Sequence, residues 1–177
     1  MSSTIGRLAV AALLTLALVV GAAPVAAQSS EQPAWADALF ADLQGMQSRY
    51  NANVSDADMT FAQERVYNQL TGNVINVYFV GTDVVFSFYM RPDGTITDFR
   101  QSRRDDASLK MLLTRGTAEE LAATPNPVPP FVAAVQNGDV IRRDGARTVR
   151  GIVIRGEDGH LVKQATWTVI NTLKGIF

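Results

Sequence analysis

Residues 74–101 read VINVYFVGTDVVFSFYMRPDGTITDFRQ, and the period of two in this stretch decides the fold class. Ile75, Val77 and Phe79 fall on one side of a strand, with Asn76 and Tyr78 on the other. Gly81-Thr82-Asp83 is a short turn, after which Val84, Phe86, Phe88 and Met90 align on a second strand. Arg91-Pro92-Asp93-Gly94 is a turn in which proline presets one φ and glycine supplies a positive one. Thr95 to Gln101 then gives a third strand carrying Ile96 and Phe99. Three strands joined by tight turns make an antiparallel meander.

Downstream, the charged turn Arg103-Arg104-Asp105-Asp106 leads to a fourth strand, Ser108 to Thr114, with Leu109, Met111 and Leu113 aligned. Thr117 with Glu120 three residues on forms a capping box that opens a short helix through Ala123. The segment TPNPVPP fits neither helix nor central strand. A helix over Pro130–Gln136 follows, stopped by Asn137-Gly138. Asp139 to Arg143 and Thr148 to Arg155 are further strands around an Asp144-Gly145 turn. Glu157-Asp158-Gly159 introduces a terminal helix to about Lys174. On it Val162, Ala165, Val169, Leu173 and Ile176 form one stripe, widened by Trp167 and Ile170.

Upstream, Trp35, Leu39, Leu43, Met46 and Tyr50 recur in steps of three and four, which places them on one face of a helix beginning near Pro33. Ser55 with Asp58 reads as a capping box for a second helix burying Met59, Ala62, Val66 and Leu70. The expected architecture is α+β: an antiparallel, meander-containing sheet of five to six strands, covered on one face by about five helices. One domain over residues 28–177 is the economical reading.

Residues 1–27 read as a signal peptide. Arg7 sits in a short polar start, Leu8 to Val20 form the apolar stretch, and Val25 and Ala27 fit the small-residue cleavage rule. At about 1.5 Å per residue the apolar stretch spans roughly 20 Å, short of a ~30 Å hydrocarbon core. The expected destination is outside the cytoplasmic membrane: extracellular, periplasmic or at the cell surface. The chain has no cysteine to acylate or to pair, so its hydrophobic core alone must hold the fold. A formal charge of −1, near balance between 16 basic and 17 acidic residues, gives no field to steer nucleic acid.

Residues suited to catalysis are sparse. His160 is the single histidine and stands beside a helix start, where a surface or capping role is the ordinary one. No cysteine nucleophile, GxSxG elbow, histidine pair at zinc-ligand spacing or phosphate-binding glycine loop occurs. Asp105-Asp106 follow two arginines and read as an ion-paired loop. No catalytic residue, metal or cofactor is therefore expected. Arg142, Arg143, Arg147, Arg150 and Arg155 read as the solvent face of a hairpin, or as an edge that meets phosphate headgroups or a partner's carboxylates.

The order of elements, with ASLKMLLTRGTAEELAA (107–123) and NPVPPFVAAVQNGDVIRRDG (126–145), resembles the sterol-carrier-protein-like family. The likeness runs from about Val74 to Asp144, with Gly138 and Gly145 in the family's expected places. It implies an apolar tunnel between helices and sheet that binds a lipid or another small hydrophobic ligand without chemical change. By position, Phe86, Phe88, Met90, Phe131, Trp167 and Ile170 are the candidates to line it. The chain departs from the family in its exported character and in an insertion of about twelve residues, Ala146 to Glu157, before the terminal helix. The expected partners are a small hydrophobic ligand such as a lipid, and an envelope protein or a membrane surface, with no nucleic acid. The competing reading is an envelope interaction module whose cavity has collapsed.

Overall fold

A computed structural model describes residues 32–143 and 145–173. The expected signal peptide, the Asp144 side of the hairpin turn and the last residues of the terminal helix lie outside the described residues. In chain order the elements are α1 (Ala34–Asn53), α2 (Phe61–Asn68), β1 (Asn73–Phe79), β2 (Val85–Met90), β3 (Ile96–Arg100) and β4 (Leu109–Leu113). They continue as α3 (Arg115–Ala123), α4 (Val128–Gln136), β5 (Asp139–Arg143), β6 (Ala146–Arg150), β7 (Val153–Gly156) and α5 (Leu161–Leu173). Gln32–Phe177 is a compact unit by itself.

The fold is α+β, and the meander is present as β1-β2-β3. Val77 stands opposite Phe86, Ile75 opposite Phe88, and Met90 opposite Ile96. β4 pairs with β1 on its other side, in parallel, and β7 closes the five-stranded order β3-β2-β1-β4-β7 with antiparallel pairing. Strands β5 and β6 form a separate two-stranded ribbon. The expected strand from Thr148 to Arg155 thus breaks in two. Gly151 adopts φ +61°, and a Cβ there would lie 2.5 Å from the Ala134 carbonyl oxygen, so the chain bends where only glycine fits.

Register sorts the side chains. Ile75, Val77, Phe79, Phe86, Phe88, Met90, Leu109, Met111 and Leu113 share one face and are buried with apolar residues of α1, α3 and α4. On the opposite face Tyr78, Val85, Tyr89, Lys110 and Leu112 are half-exposed. Because β3 and β4 flank the β2-β1 pair, residues 101–108 must cross this second face. Ser87 Oγ holds the crossing by donating to the Ser102 carbonyl at 2.7 Å. Asn76 brackets Arg104, donating to its carbonyl and accepting from its N–H, each at 2.9 Å.

Helix α1 buries Leu39, Leu43 and Tyr50, with Trp35 and Met46 packed alongside, as the spacing predicts. Its polar side chains reach the edge strand β3. Asn51 accepts from the Ile96 N–H at 2.7 Å, and the Ile96 carbonyl accepts from Gln47 and Asn51, both at 2.8 Å. Asp98 at φ 53° interrupts the pairing with β2, so this edge is capped and bulged, two devices that block edge-to-edge association.

Helix boundaries moved where capping residues compete. α2 starts after Thr60, whose side chain and Gln63 form a reciprocal capping box, and not at Ser55 with Asp58. α3 is capped by Thr114, which accepts from the Thr117 N–H at 3.2 Å, one turn earlier than expected. α4 begins at Val128, so Pro129 and Pro130 occupy its first turn, where a helix has no use for their missing N–H groups.

The terminal helix differs most. Trp167 is 0% exposed and Ile170 packs on the core, whereas Val162 is 80% exposed and Ala165 also faces solvent. Val162 and Ala165 of the expected stripe are therefore not on the buried face. α5 lies along the other edge strand, β7, and uses polar side chains there: Gln164 donates to the Glu157 carbonyl at 3.1 Å and Asn171 to the Ile154 carbonyl at 2.8 Å. Gly156 permits the approach, since a Cβ would sit 2.3 Å from the Gln164 nitrogen. Among the described residues no helix is long and apolar enough to cross a membrane.

Candidate ligand cavity

Between α1, α3, α4 and the covered face of the sheet lies a cavity of about 50 Å³. Leu43, Met46, Gln47 and Tyr50 of α1 form one wall. Val77 and Phe79 of β1, Phe88 of β2 and Met111 and Leu113 of β4 form its floor. Ala118 and Leu121 of α3, Pro127 and Phe131 close it from the other side. These residues meet because period-two strands and a period-3.6 helix each turn one face inward.

The wall is apolar save for the Gln47 amide and the Tyr50 phenol, and no lining residue carries a charge. Both polar groups are engaged elsewhere. Gln47 donates to β3, and Tyr50 shares a 2.6 Å hydrogen bond with Tyr67, whose hydroxyl donates to the Gly94 carbonyl at 3.0 Å. Tyr50 must therefore be the donor to Tyr67. Burial pushes both phenols above their ordinary value of 10.0, which keeps them neutral. The Tyr50 ring meets Phe131 edge-on at 5.7 Å.

Of the six residues singled out in the sequence, Phe88 and Phe131 line the cavity, and the other four stand outside it. Phe86 is enclosed by aromatic neighbours, edge-on to Phe40 at 5.3 Å and to Phe79 at 4.9 Å, with Phe99 at 6.1 Å. Met90 is buried at the far end of β2, opposite Asn73. Trp167 and Ile170 pack where α5 follows the β7 edge. Sequence reasoning left out the α1 wall and the floor residues Val77, Phe79, Met111 and Leu113. Their signal was available: the α1 stripe ends on Met46 and Tyr50, and Val77 shares a face with Phe79.

A polar cluster occupies the opposite face. Glu157 is 3% exposed; its carboxylate accepts from Asn76 Nδ2 at 3.0 Å and from the Tyr78 hydroxyl at 2.9 Å. Lys110 Nζ lies 3.9 Å from the same carboxylate and 2.7 Å from Asp158. The Tyr78 phenol is raised by burial and by the Glu157 charge. With Asn76 holding Arg104 as well, this network ties the crossing segment to the turn before α5. Outside it, Arg104 pairs with Asp98 and Asp106, the ion-paired loop read from the sequence. His160 lies exposed, its carbonyl accepting from the Gln164 N–H in the first turn of α5.

No family model matches this chain, and no curated protein matches it. A solved structure described as a UbiJ-SCP2 ubiquinone synthesis protein is similar to it at 13% identity, over 76% of this chain and 91% of that one, with a TM-score of 0.32.

Proposed function

We propose that this chain is an exported, non-catalytic carrier that holds a small, neutral, hydrophobic ligand against the helix-covered face of the sheet. The observation that carries the reading is the cavity wall: apolar almost throughout, and with no charged side chain. An anionic ligand, such as a fatty-acid carboxylate, would have to shed its water there without a counter-charge, at a cost of several kcal/mol. A neutral chain, alcohol or ester meets no such penalty. The sequence resemblance to the sterol-carrier-protein-like family points to a lipid or another small hydrophobic ligand, and the neutral character is argued from the cavity wall alone.

Ligand pockets commonly enclose about 300–1,000 Å³, so a cavity of about 50 Å³ is the closed form of such a site. Occupancy requires α4 and the Thr124–Pro127 connection to withdraw from α1. Arg49 marks the clasp that must yield, since its guanidinium holds the Ala122 and Thr124 carbonyls at the end of α3.

The test uses residues 28–177, which contain the compact unit, titrated with 1-decanol or with decanoate and followed by isotope-edited NMR. The alcohol should shift Val77, Leu121 and Phe131 resonances, and decanoate should bind at least about tenfold more weakly. Equal or tighter binding of decanoate, or no response to either, contradicts the reading. The export component is checked separately by N-terminal sequencing of the chain released from an exporting host, which should begin at Gln28.

A second reading, a protein-docking module, draws on one observation. Leu161 and Val162 at the start of α5 are 75% and 80% exposed. Crosslinking at Val162 to an envelope protein, with no uptake of the neutral probe, would favour it.

A further inference from the structure

The ribbon β5–β6 takes no part in the cavity, yet its root is built with care. A Cβ on Gly138 would lie 1.7 Å from the Ile152 carbonyl oxygen, and the Ile152 N–H donates to the Ala134 carbonyl at 2.8 Å. Together with the tight bend at Gly151, these contacts fix the ribbon against the end of α4. Beyond the root Val149 is buried, while Arg142, Ala146, Arg147 and Arg150 are exposed.

The charge pattern works against the ribbon's own stability. A two-stranded hairpin is marginal by itself, and here Arg142 stands directly opposite Arg147. Like charges in that position repel. Residues 139–150 hold four arginines against two aspartates. None of the ion pairs among the described residues engages Arg142, Arg147, Arg150 or Arg155. Residues two apart, or directly opposite, share a face of a ribbon. Val140, 37% exposed, therefore lies beside the Arg142–Arg147 pair, on the face it shares with buried Val149 opposite it, so that face is covered near the root and open towards the two arginines.

We propose that this ribbon is a docking arm for an anionic membrane surface, in which Arg142 and Arg147 grip lipid phosphates and Val140 settles at the base of the headgroups. Arginine's planar fork suits bidentate contact with phosphate oxygens. A neighbouring exposed valine fits an interface where phosphate and hydrocarbon are a few ångströms apart, and has no use for a free anion. The inference rests on the carrier reading for its purpose alone, since docking brings the cavity to the source of its ligand. The chemistry of docking is independent of the cavity.

The experiment is flotation of residues 28–177, with no apolar ligand added, on phosphatidylcholine vesicles with and without phosphatidylglycerol. Binding should require phosphatidylglycerol and weaken with added salt. Removing two charges with Arg142→Gln/Arg147→Gln should weaken it about 30-fold, from roughly 1 kcal/mol per basic residue near such a surface. That variant should melt no lower than the wild type, because it relieves the cross-strand repulsion. Arg142→Lys/Arg147→Lys should retain most of the binding. The proposal is overturned by equal binding to both vesicle types, by undiminished binding of the glutamine variant, or by saturation of the ribbon with inorganic phosphate in the absence of any vesicle binding. Preference for polyglutamate over anionic vesicles overturns it too, and assigns the arm to an acidic protein. Every one of these results leaves the decanol titration untouched, so failure of the arm and failure of the cavity are distinguishable.

Discussion

Replacing Asn76 by aspartate keeps the size of the side chain and inverts one of its two polar atoms. Nδ2 donates at 2.9 Å to the Arg104 carbonyl and at 3.0 Å to the buried Glu157 carboxylate. In the variant the oxygen that replaces Nδ2 faces these two acceptors, while the other still accepts from the Arg104 N–H. Losing a hydrogen bond to a charged group costs about 1.5–3 kcal/mol, and stranding a buried carbonyl about 1–3 kcal/mol. Asn76→Asp should therefore destabilise the fold by about 4 kcal/mol before the repulsion between two carboxylates is added. For a domain of this size that lowers Tm by about 8–16 °C. Thermal unfolding of residues 28–177 at neutral pH, followed by circular dichroism, reads the shift. Amide exchange should quicken at Arg104, whose N–H is bonded to Asn76. Adding Glu157→Gln supplies a donor and removes a charge, so the double variant should regain about half of the loss. A drop of less than about 2 °C, or a coupling in the double-mutant cycle below about 0.5 kcal/mol, would refute the account of this network.

Val77→Ile adds one methylene to the cavity floor without changing strand propensity, and should stabilise by about 0.8 kcal/mol while weakening decanol binding; a lower Tm would show that the space is not free. Tyr50→Phe should flatten the loss of stability in alkali. A buried phenol whose folded pKa is raised stays protonated while the unfolded chain ionises near 10, so stability is full below that pH and falls as pH rises. Urea unfolding from roughly pH 9 to 11 measures this, and identical slopes in variant and wild type would contradict it. Gly138→Ala should cost about 3 kcal/mol or more, since its Cβ meets backbone, whereas Gly145→Ala, at φ +80° in open space, should cost only about 1 kcal/mol. Equal melting shifts for the two alanine variants would remove the case for a fixed ribbon root.

The meander was legible because nothing competes with the period of two in Ile75–Phe79 and Phe86–Met90, and because Arg91-Pro92-Asp93-Gly94 marks the turn into β3; α1 was legible because Leu39, Leu43 and Tyr50 keep the helical step. What stayed hidden follows from tertiary pairing. The parallel match of β4 to β1 leaves no local trace, and it alone sends residues 101–108 across the open face onto Asn76 and Ser87. Gly151 sits in a stretch that reads as one strand, and the close approach to Ala134 that breaks it is seventeen residues distant. α5 misled for a related reason. A helix against a sheet face buries an apolar stripe, but one against a sheet edge must satisfy carbonyls, so Gln164 and Asn171 turn inward and Val162 outward. The cavity was half legible. Aromatic alternation pointed to Phe88 and the short helix to Phe131, while Phe86, on the same strand face, is sealed off by Phe40 and Phe79.

The carrier claim is tested most directly by native mass spectrometry of residues 28–177 purified from an exporting host, followed by organic extraction of whatever leaves with the protein. The account predicts a stoichiometric, neutral, apolar adduct that is depleted in Val77→Ile and retained in Arg142→Gln/Arg147→Gln once the chain is loaded. A clean apo mass that incubation with neutral lipids does not change, or an adduct that is a fatty-acid anion, would contradict it.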